Sequence, residues 1–379
     1  MTHNQPQSKA DISQIISKLS IGENLSSTEA EYAAKTALAA LTENKPNSLA
    51  LLVSFFGGLS IKKPTIAELT GMVRAMATTK TFEFTFNHDK PIVTAGGTGG
   101  DTFPTINVTT PAVLIAASAG ACAIKSGSKS FSSKTGCIDL AEELGINVHT
   151  EATVVQDCVA KIGTAVWASE GVYPWMRPLI ELASDESAFA VMPLLYSLRL
   201  MIATALNPFS LKRQVRGVSQ PFTETIAEVL AKSGYEKALV VLGYGPGEET
   251  RIDEFSNLGK NVVSEVKPDG SVATYTFYPT DIGIKVATTK DVAYPGSHIE
   301  NARAVANVLC GKDRSARRDL ILLNAASILY VADEVSDFRD GYELAGQAVD
   351  EGRTIEKLKQ LIMLSGGQMG HLELILNAE

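Results

Sequence analysis

Two short stretches hold the residues whose types and spacing make anion chemistry possible. Gly97-Thr98-Gly99-Gly100-Asp101 is a glycine-dense turn after the apolar start Pro91-Ile92-Val93, and Asn107-Val108-Thr109-Thr110-Pro111 follows within a few residues. Glycines let a backbone approach a bulky anion closely, and Thr110-Pro111 reads as the N-cap and first residue of a helix. Free amides and a helix dipole aimed at one spot make a phosphate site. An ordinary tight turn is the competing reading of the glycines.

A second loop, Lys125-Ser126-Gly127-Ser128-Lys129-Ser130 and then Ser132-Ser133-Lys134-Thr135-Gly136, follows the next expected strand. Short hydroxyls, backbone amides and ammonium groups are what a phosphate or pyrophosphate needs. A solvated serine-rich surface loop would have the same composition, but two such loops after adjacent strands favour the anion reading. The third feature is the acidic pair Asp253-Glu254, beyond Gly243-Tyr244-Gly245-Pro246-Gly247. Adjacent carboxylates can hold Mg²⁺ while phosphate oxygens take its other positions. Glu248-Glu249 is a rival pair in the same loop, and spacing leaves both open.

The elements that must position these residues are of two kinds. From Ile12 to about Thr79 apolar residues recur at three and four, as in Ile12, Ile15, Ile16, Leu19 and Ala37, Leu38, Leu41. Ser26-Ser27-Thr28-Glu29, Asn47-Ser48 and Pro64-Thr65 read as helix starts. From about Lys90 short β-branched or apolar runs end in glycine turns and lead into helical segments, the order of a parallel α/β sheet. Ile92 to Ala95, Ala121 to Lys125, Ala238 to Leu242, Val262 to Val266 and Thr274 to Phe277 are the expected strands. Pro174 to Pro208 is again helical and apolar. The expected fold is α/β: a small all-helical N-terminal domain over 1–88, rejoined by part of 188–212, and a larger α/β domain over 89–379 with a mostly parallel central sheet. Ligands of such sheets bind beyond the carboxyl ends of the strands.

Composition narrows the function classes. The 379 residues are 45% hydrophobic, enough for a sizeable core, and no apolar run reaches membrane-spanning length. The polar start Met1-Thr2-His3-Asn4-Gln5-Pro6 lacks signal-peptide regions, so the expected location is cytoplasmic. Cys122, Cys137, Cys158 and Cys310 form no CxxC pair, and the five histidines have no metal-ligand spacing, which argues against a zinc site or a disulfide framework. A net charge of -8 argues against general nucleic-acid affinity.

The chain resembles the anthranilate phosphoribosyltransferase family, whose folds also look like those of the pyrimidine nucleoside phosphorylases. The resemblance rests on Gly97 to Asp101, Asn107 to Thr110, and Ser132-Ser133-Lys134-Thr135-Gly136 with Asp139-Leu140 and Leu144-Gly145. It continues through Ile252-Asp253-Glu254-Phe255-Ser256, Val263-Ser264-Glu265, Glu300-Asn301-Ala302 and Arg318-Asp319-Leu320 to Asn324-Ala325-Ala326. It implies a Mg²⁺-dependent phosphoribosyltransferase, a homodimer through the helical domain, with phosphoribosyl diphosphate bound in a cleft and a small aromatic amine as acceptor. By that analogy Gly97, Thr98, Gly99, Gly100, Asp101 and Thr105 would bind the diphosphate. Asn107, Thr109 and Thr110 would hold the diphosphate and one metal. Lys125, Ser126, Gly127, Ser128 and Ser133 would complete the charge neutralisation. Asp253 and Glu254 would carry the second metal, preferred over Glu248-Glu249 by the distance onward to Val263-Ser264-Glu265. Asp101, Lys125, Asp253 and Glu254 would carry catalysis, with Thr109, Asp253 and Glu254 as metal ligands.

The departures fall on the acceptor side. Where the family usually shows His-Gly-Asn-Arg after the lysine, this chain has Ser126-Gly127-Ser128-Lys129, and Cys137 stands where a serine is expected. His-Pro-Ala-Met appears as Tyr173-Pro174-Trp175-Met176. The arginine that pairs with the anthranilate carboxylate has no counterpart in register; Arg177 and Arg199 are nearby. Tyr173, Trp175 and Met176 either line a pocket for a larger or less acidic acceptor or belong to the core of an apolar helix. Two other functions stay open: a non-catalytic paralogue binding nucleic acid or protein, and a nucleoside phosphorylase-like enzyme.

Overall fold

The computed structural model describes residues 11–127, 136–169, 171–183 and 207–377. Ser128, Ser133, Arg199 and the 188–206 part of the expected return to the helical domain lie outside the described residues. Contacts divide the chain into two units, the first running to Thr81 and resuming at Gly171, the second starting at Phe82 and resuming at Asn207.

The helical unit is built from sequence signals at its helix starts. Ser26 and Thr65 each form a capping box, with Glu29 and Glu68, and open the helices Ser27–Thr42 and Ile66–Thr78. Asn47, the third start signal, makes no side-chain cap bond at Ser48–Leu52. The two capped helices meet closely: a Cβ on Gly71 would lie 2.1 Å from the Ser27 carbonyl oxygen. Glu68 is buried yet satisfied, accepting from the Leu25 amide at 2.8 Å and from Lys62 Nζ at 2.9 Å.

Among the described residues the second unit carries an eight-stranded sheet in the order β3-β2-β1-β4-β5-β7-β8, with β6 paired to β5. The strands are β1 Ile92–Gly97, β2 Cys122–Gly127, β3 Thr164–Ala168, β4 Arg213–Gly217, β5 Lys237–Tyr244, β6 Arg251–Ile252, β7 Asn261–Val266 and β8 Val272–Phe277. The first five are parallel and the last three join antiparallel. The sequence reading missed β3, β4 and β6. β4 carries two arginines and a glutamine in five residues, which hides a central strand from any search for β-branched runs, and β6 is two residues long. The helices Thr109–Ser118 and Ala316–Val331 are buried almost throughout and join one core with Val93, Val215 and Val241 of the sheet.

The domain boundary moves relative to the expectation of residue 88. Phe84 packs edge-on against Trp167 and Phe209, 5.0 and 4.8 Å between ring centroids, so this segment belongs with the sheet. Among the described residues no helix is long and apolar enough to cross a membrane.

Candidate active site

The parallel strands β1, β4 and β5 end side by side, with Gly97 registered against Gly217. The segment Asp253-Glu254 lies directly against these ends. A Cβ on Gly217 would fall 1.4 Å from the Asp253 carbonyl oxygen, and one on Gly243 of β5 would fall 2.4 Å from that of Glu254. Glycine is required at both positions by this close approach. From the other side Asn324, buried in helix Ala316–Val331, clamps the next residue: it accepts from the Phe255 amide at 3.0 Å and donates to the Phe255 carbonyl at 2.9 Å.

The glycine turn closes over the same carboxylates. Gly99 and Gly100 take left-handed φ values of 69° and 83°, which turn the Gly99 amide onto Asp253 Oδ2. The Asp253 amide in return donates to Asp101 Oδ1 at 2.8 Å. Thr98 donates its amide to the Gly217 carbonyl at 3.1 Å, and Ser219 Oγ donates to the Gly99 carbonyl at 2.9 Å, tying the turn to the end of β4. Oxygens of Asp101, Asp253 and Glu254 thereby gather within 4.8 Å of one another.

Three carboxylates this close repel one another. Burial and the neighbouring charges of Asp253 and Glu254 hold the Asp101 carboxyl well above the usual carboxylate range. Burial and Asp253 push Glu254 up to about 8, against the pull of a Thr109 hydroxyl bond and the Lys125 charge. Glu254 Oε2 is buried and has no hydrogen-bond partner. An all-oxygen donor set with surplus negative charge and an orphaned carboxylate oxygen fits a hard divalent cation such as Mg²⁺. Asp101, Asp253 and Glu254 are the residues that would hold it.

The other expected site residues divide by position. Thr109 Oγ1 donates to Glu254 Oε1 at 3.2 Å, so it supports a carboxylate. The expected N-cap at Thr110 is corrected: the helix begins at Thr109, its N-cap is Val108, and Thr110 is buried inside the first turn with an unpartnered hydroxyl. Asn107 forms a reciprocal pair with Asn301, accepting from its side chain at 2.6 Å. Thr105 bridges to Ala293. Lys125 is buried at the end of β2, followed by half-buried Ser126. Cys137 opens helix Cys137–Glu143, with Sγ 2.0 Å from where a Cβ on Gly127 would sit. The rival pair Glu248-Glu249 is exposed, and Glu248 is bonded to Lys260.

Tyr173 and Trp175 are fully buried in the helical unit, ring centroids 5.4 Å apart, and the Trp175 indole donates to Thr79 Oγ1 at 3.0 Å. Of the two readings open for them, this burial matches core packing, and Tyr173 as a substrate contact stays a proposal. The sequence reading gave no role to Gly217, Gly243, Ser219 or Asn324. Only Gly243 carried a local signal, a glycine ending an apolar run.

Residues 89–355 match the sequence family described as "Glycosyl transferase family, a/b domain". The anthranilate phosphoribosyltransferase of Acetivibrio thermocellus is 32% identical over 95% of this chain and 98% of its own length. That of Symbiobacterium thermophilum is 33% identical over 90% and 95%. Among solved structures, the Thermus thermophilus anthranilate phosphoribosyltransferase matches with a TM-score of 0.79 at 26% identity, over 93% of this chain and 99% of that one. The Saccharomyces cerevisiae enzyme, solved in complex with PRPP and Mg, shares the fold at 20% identity and a TM-score of 0.77, over 95% and 99%.

Proposed function

The chain belongs to the anthranilate phosphoribosyltransferase family and is a pentosyltransferase, and from that premise we propose that it moves 5-phosphoribose from phosphoribosyl diphosphate to the nitrogen of an aromatic or heterocyclic amine, anthranilate or an analogue. The observation that carries this reading is the meeting of the glycine turn with Asp101, Asp253 and Glu254 at the strand ends. The reaction requires no covalent nucleophile. The acceptor nitrogen forms a bond to C1 of the ribose, the bond from C1 to the diphosphate oxygen breaks, and the nitrogen sheds a proton.

The residues of the chain act mainly by position and charge. The 97–101 turn holds Asp253 through the Gly99 amide and so fixes the carboxylate cluster where the leaving diphosphate would sit. Thr109, in the first turn of its helix, fixes Glu254, and Lys125 adds positive charge. Mg²⁺, held by the carboxylate cluster, would neutralise charge on the departing diphosphate. Ser126, in place of the bulkier group usual in the family, leaves more room on the acceptor side, which is why an analogue of anthranilate is included. A homodimer through the helical domain, on the strength of the resemblance, and a cytoplasmic location, on the composition, complete the reading.

The test has two stages. Phosphoribosyl diphosphate with Mg²⁺ is expected to raise the unfolding midpoint, and neither alone should match it. Aromatic amines are then screened for diphosphate release, anthranilate first. No thermal shift and no release with any amine would refute the proposal.

A further inference from the structure

Backbone pairing brings two segments that are distant in the chain together beside the carboxylate cluster. Thr105 bridges antiparallel to Ala293, the Ile106 amide donates to the Val292 carbonyl at 3.1 Å, and the Tyr294 amide donates to the Pro104 carbonyl at 3.0 Å. Just beyond, Ser297 caps helix His298–Leu309, accepting from the Glu300 amide at 3.2 Å, and so places Asn301 near the helix start. Asn301 is fully buried and meets Asn107 there. Asn107 in turn stands two residues before Thr109, whose hydroxyl bonds Glu254.

The two contacts between the asparagines decide which way each carboxamide faces. The Asn107 backbone amide can only donate, so the Asn301 atom that it meets at 3.1 Å must be the side-chain oxygen. The other arm of Asn301 is then its NH2 group. That group also only donates, so the Asn107 atom it meets at 2.6 Å must be an oxygen too. The Asn107 NH2 group is therefore turned away from Asn301. Without such a partner a carboxamide presents oxygen or nitrogen alike; a buried Asn301 removes that choice. Next to a site for diphosphate the difference is one of sign, because an N–H attracts the anion and a carbonyl oxygen repels it. Val108, the N-cap between Asn107 and helix Thr109–Ser118, gives the first-turn amides no side-chain acceptor, so this helix end also favours an anion.

We propose that Asn301 is a positioning residue for phosphoribosyl transfer: by holding the Asn107 oxygen it turns the Asn107 NH2 group toward the departing diphosphate. The inference rests on the phosphoribosyl-transfer reading and adds to it a residue that itself touches no substrate. Asn301 acts through the orientation of a neighbour, and a change there is felt only while that neighbour is an asparagine.

Calorimetric titration of the full chain with inorganic diphosphate and Mg²⁺ tests this through a double-mutant cycle. In Asn301→Asp one carboxylate oxygen still accepts from the Asn107 amide. The other cannot donate, so it draws the Asn107 NH2 group to itself and turns the carbonyl outward. Affinity should fall at least about tenfold. In an Asn107→Ala background the same change should cost less than about twofold, since no carboxamide is left to turn. An equal fall in both backgrounds would mean bare charge or a damaged fold, and no fall beside Asn107 would mean no orienting role; either overturns the proposal. Should the Asn301 variant fail to fold, Asn107→Asp decides, because it keeps an oxygen for Asn301 and replaces the outward NH2 group by an oxygen. Binding at least about tenfold weaker with an unchanged unfolding midpoint is then expected, and binding within about twofold of wild type overturns the proposal. Failure of diphosphate with Mg²⁺ to bind the wild type would strike the phosphoribosyl reading and this inference with it, whereas wild-type binding that Asn301→Asp leaves intact overturns the inference alone.

Discussion

Gly97 and Asp253 share a space that admits only one side chain: a Cβ on Gly97 would lie 2.0 Å from Asp253 Oδ2. The carboxylate that accepts from the Gly99 amide, on a residue whose own amide donates to Asp101, is thus placed by the absence of a methyl group far earlier in the chain. Gly97→Ala must push that carboxylate aside. Misplacement of a catalytic group by about 1 Å costs on the order of a hundredfold in rate, so kcat/KM should fall by about that factor while circular dichroism stays unchanged. A variant within about tenfold of wild type would mean that Asp253 does no chemistry.

Charge removal at the cluster should separate stability from function. With the three carboxyl groups crowded together and Glu254 pushed up to about 8, Glu254→Gln puts at the orphaned position an amide that cannot ionise and can donate to the neighbouring carboxylates. In metal-free buffer its unfolding midpoint is expected to equal or exceed that of wild type by a few degrees, about 1 kcal/mol for a domain of this size. Its response to Mg²⁺ with diphosphate should vanish. Scanning fluorimetry with and without the ions measures both, and a preserved response would remove Glu254 from the metal site.

Much of this site was legible because its chemistry is written in contiguous residues. The glycine turn, the threonine-rich helix start and Asp253-Glu254 each announce themselves by type, and the capping boxes at Ser26 and Thr65 fix their helices locally. What was hidden is what depends on tertiary approach. β4 reads as polar because Gln214 and Arg216 are buried for reasons outside the strand itself. Asn324 looks like any residue of an apolar helix until the backbone of Phe255 is seen against it. Tyr173 and Trp175 left two readings open, because a large aromatic suits a pocket and a core equally well and only its burial separates the two.

The thiols offer a check on burial around the second loop. Burial pushes the Cys122 thiol up to about 12 and the Cys158 thiol to about 11, so neither presents thiolate at neutral pH. Cys137 and Cys310 are only half-buried. Alkylation of the folded protein with iodoacetamide, read by peptide mass spectrometry, is expected to label Cys137 and Cys310 well before the other two. Phosphoribosyl diphosphate with Mg²⁺ should slow labelling at Cys137, which lies against Gly127, and leave Cys310 unaffected. Equal labelling of Cys122 would contradict the buried start of β2.

At the opposite ends of β4 and β5 a second ionic cluster holds the strands that carry Arg216 and Gly217. Lys237 donates to the Tyr330 carbonyl at 2.6 Å and to Asp333 Oδ1 at 2.8 Å, while Arg213 donates to the Val331 carbonyl at 3.0 Å and also bonds Asp333. Both cations therefore sit at the C-terminus of helix Ala316–Val331, where the helix dipole favours them. Burial opposes the ionisation of Asp333, but the bonds from Lys237 and Arg213 outweigh it and hold its carboxyl below the usual range. The folded protein thus binds fewer protons here than the unfolded chain. The stabilisation is complete above the ordinary aspartate pKa and is lost as the pH falls through that value and below it. Asp333 is half exposed, so the effect is modest, about 1 kcal/mol or less. Asp333→Asn keeps a side chain that tolerates the left-handed φ of 61° at this position. Urea unfolding should find the variant weaker than wild type near neutral pH, with the deficit shrinking as the pH falls below the ordinary aspartate value. A deficit that persists undiminished at the acid end would show that the residue acts through its backbone turn rather than its charge.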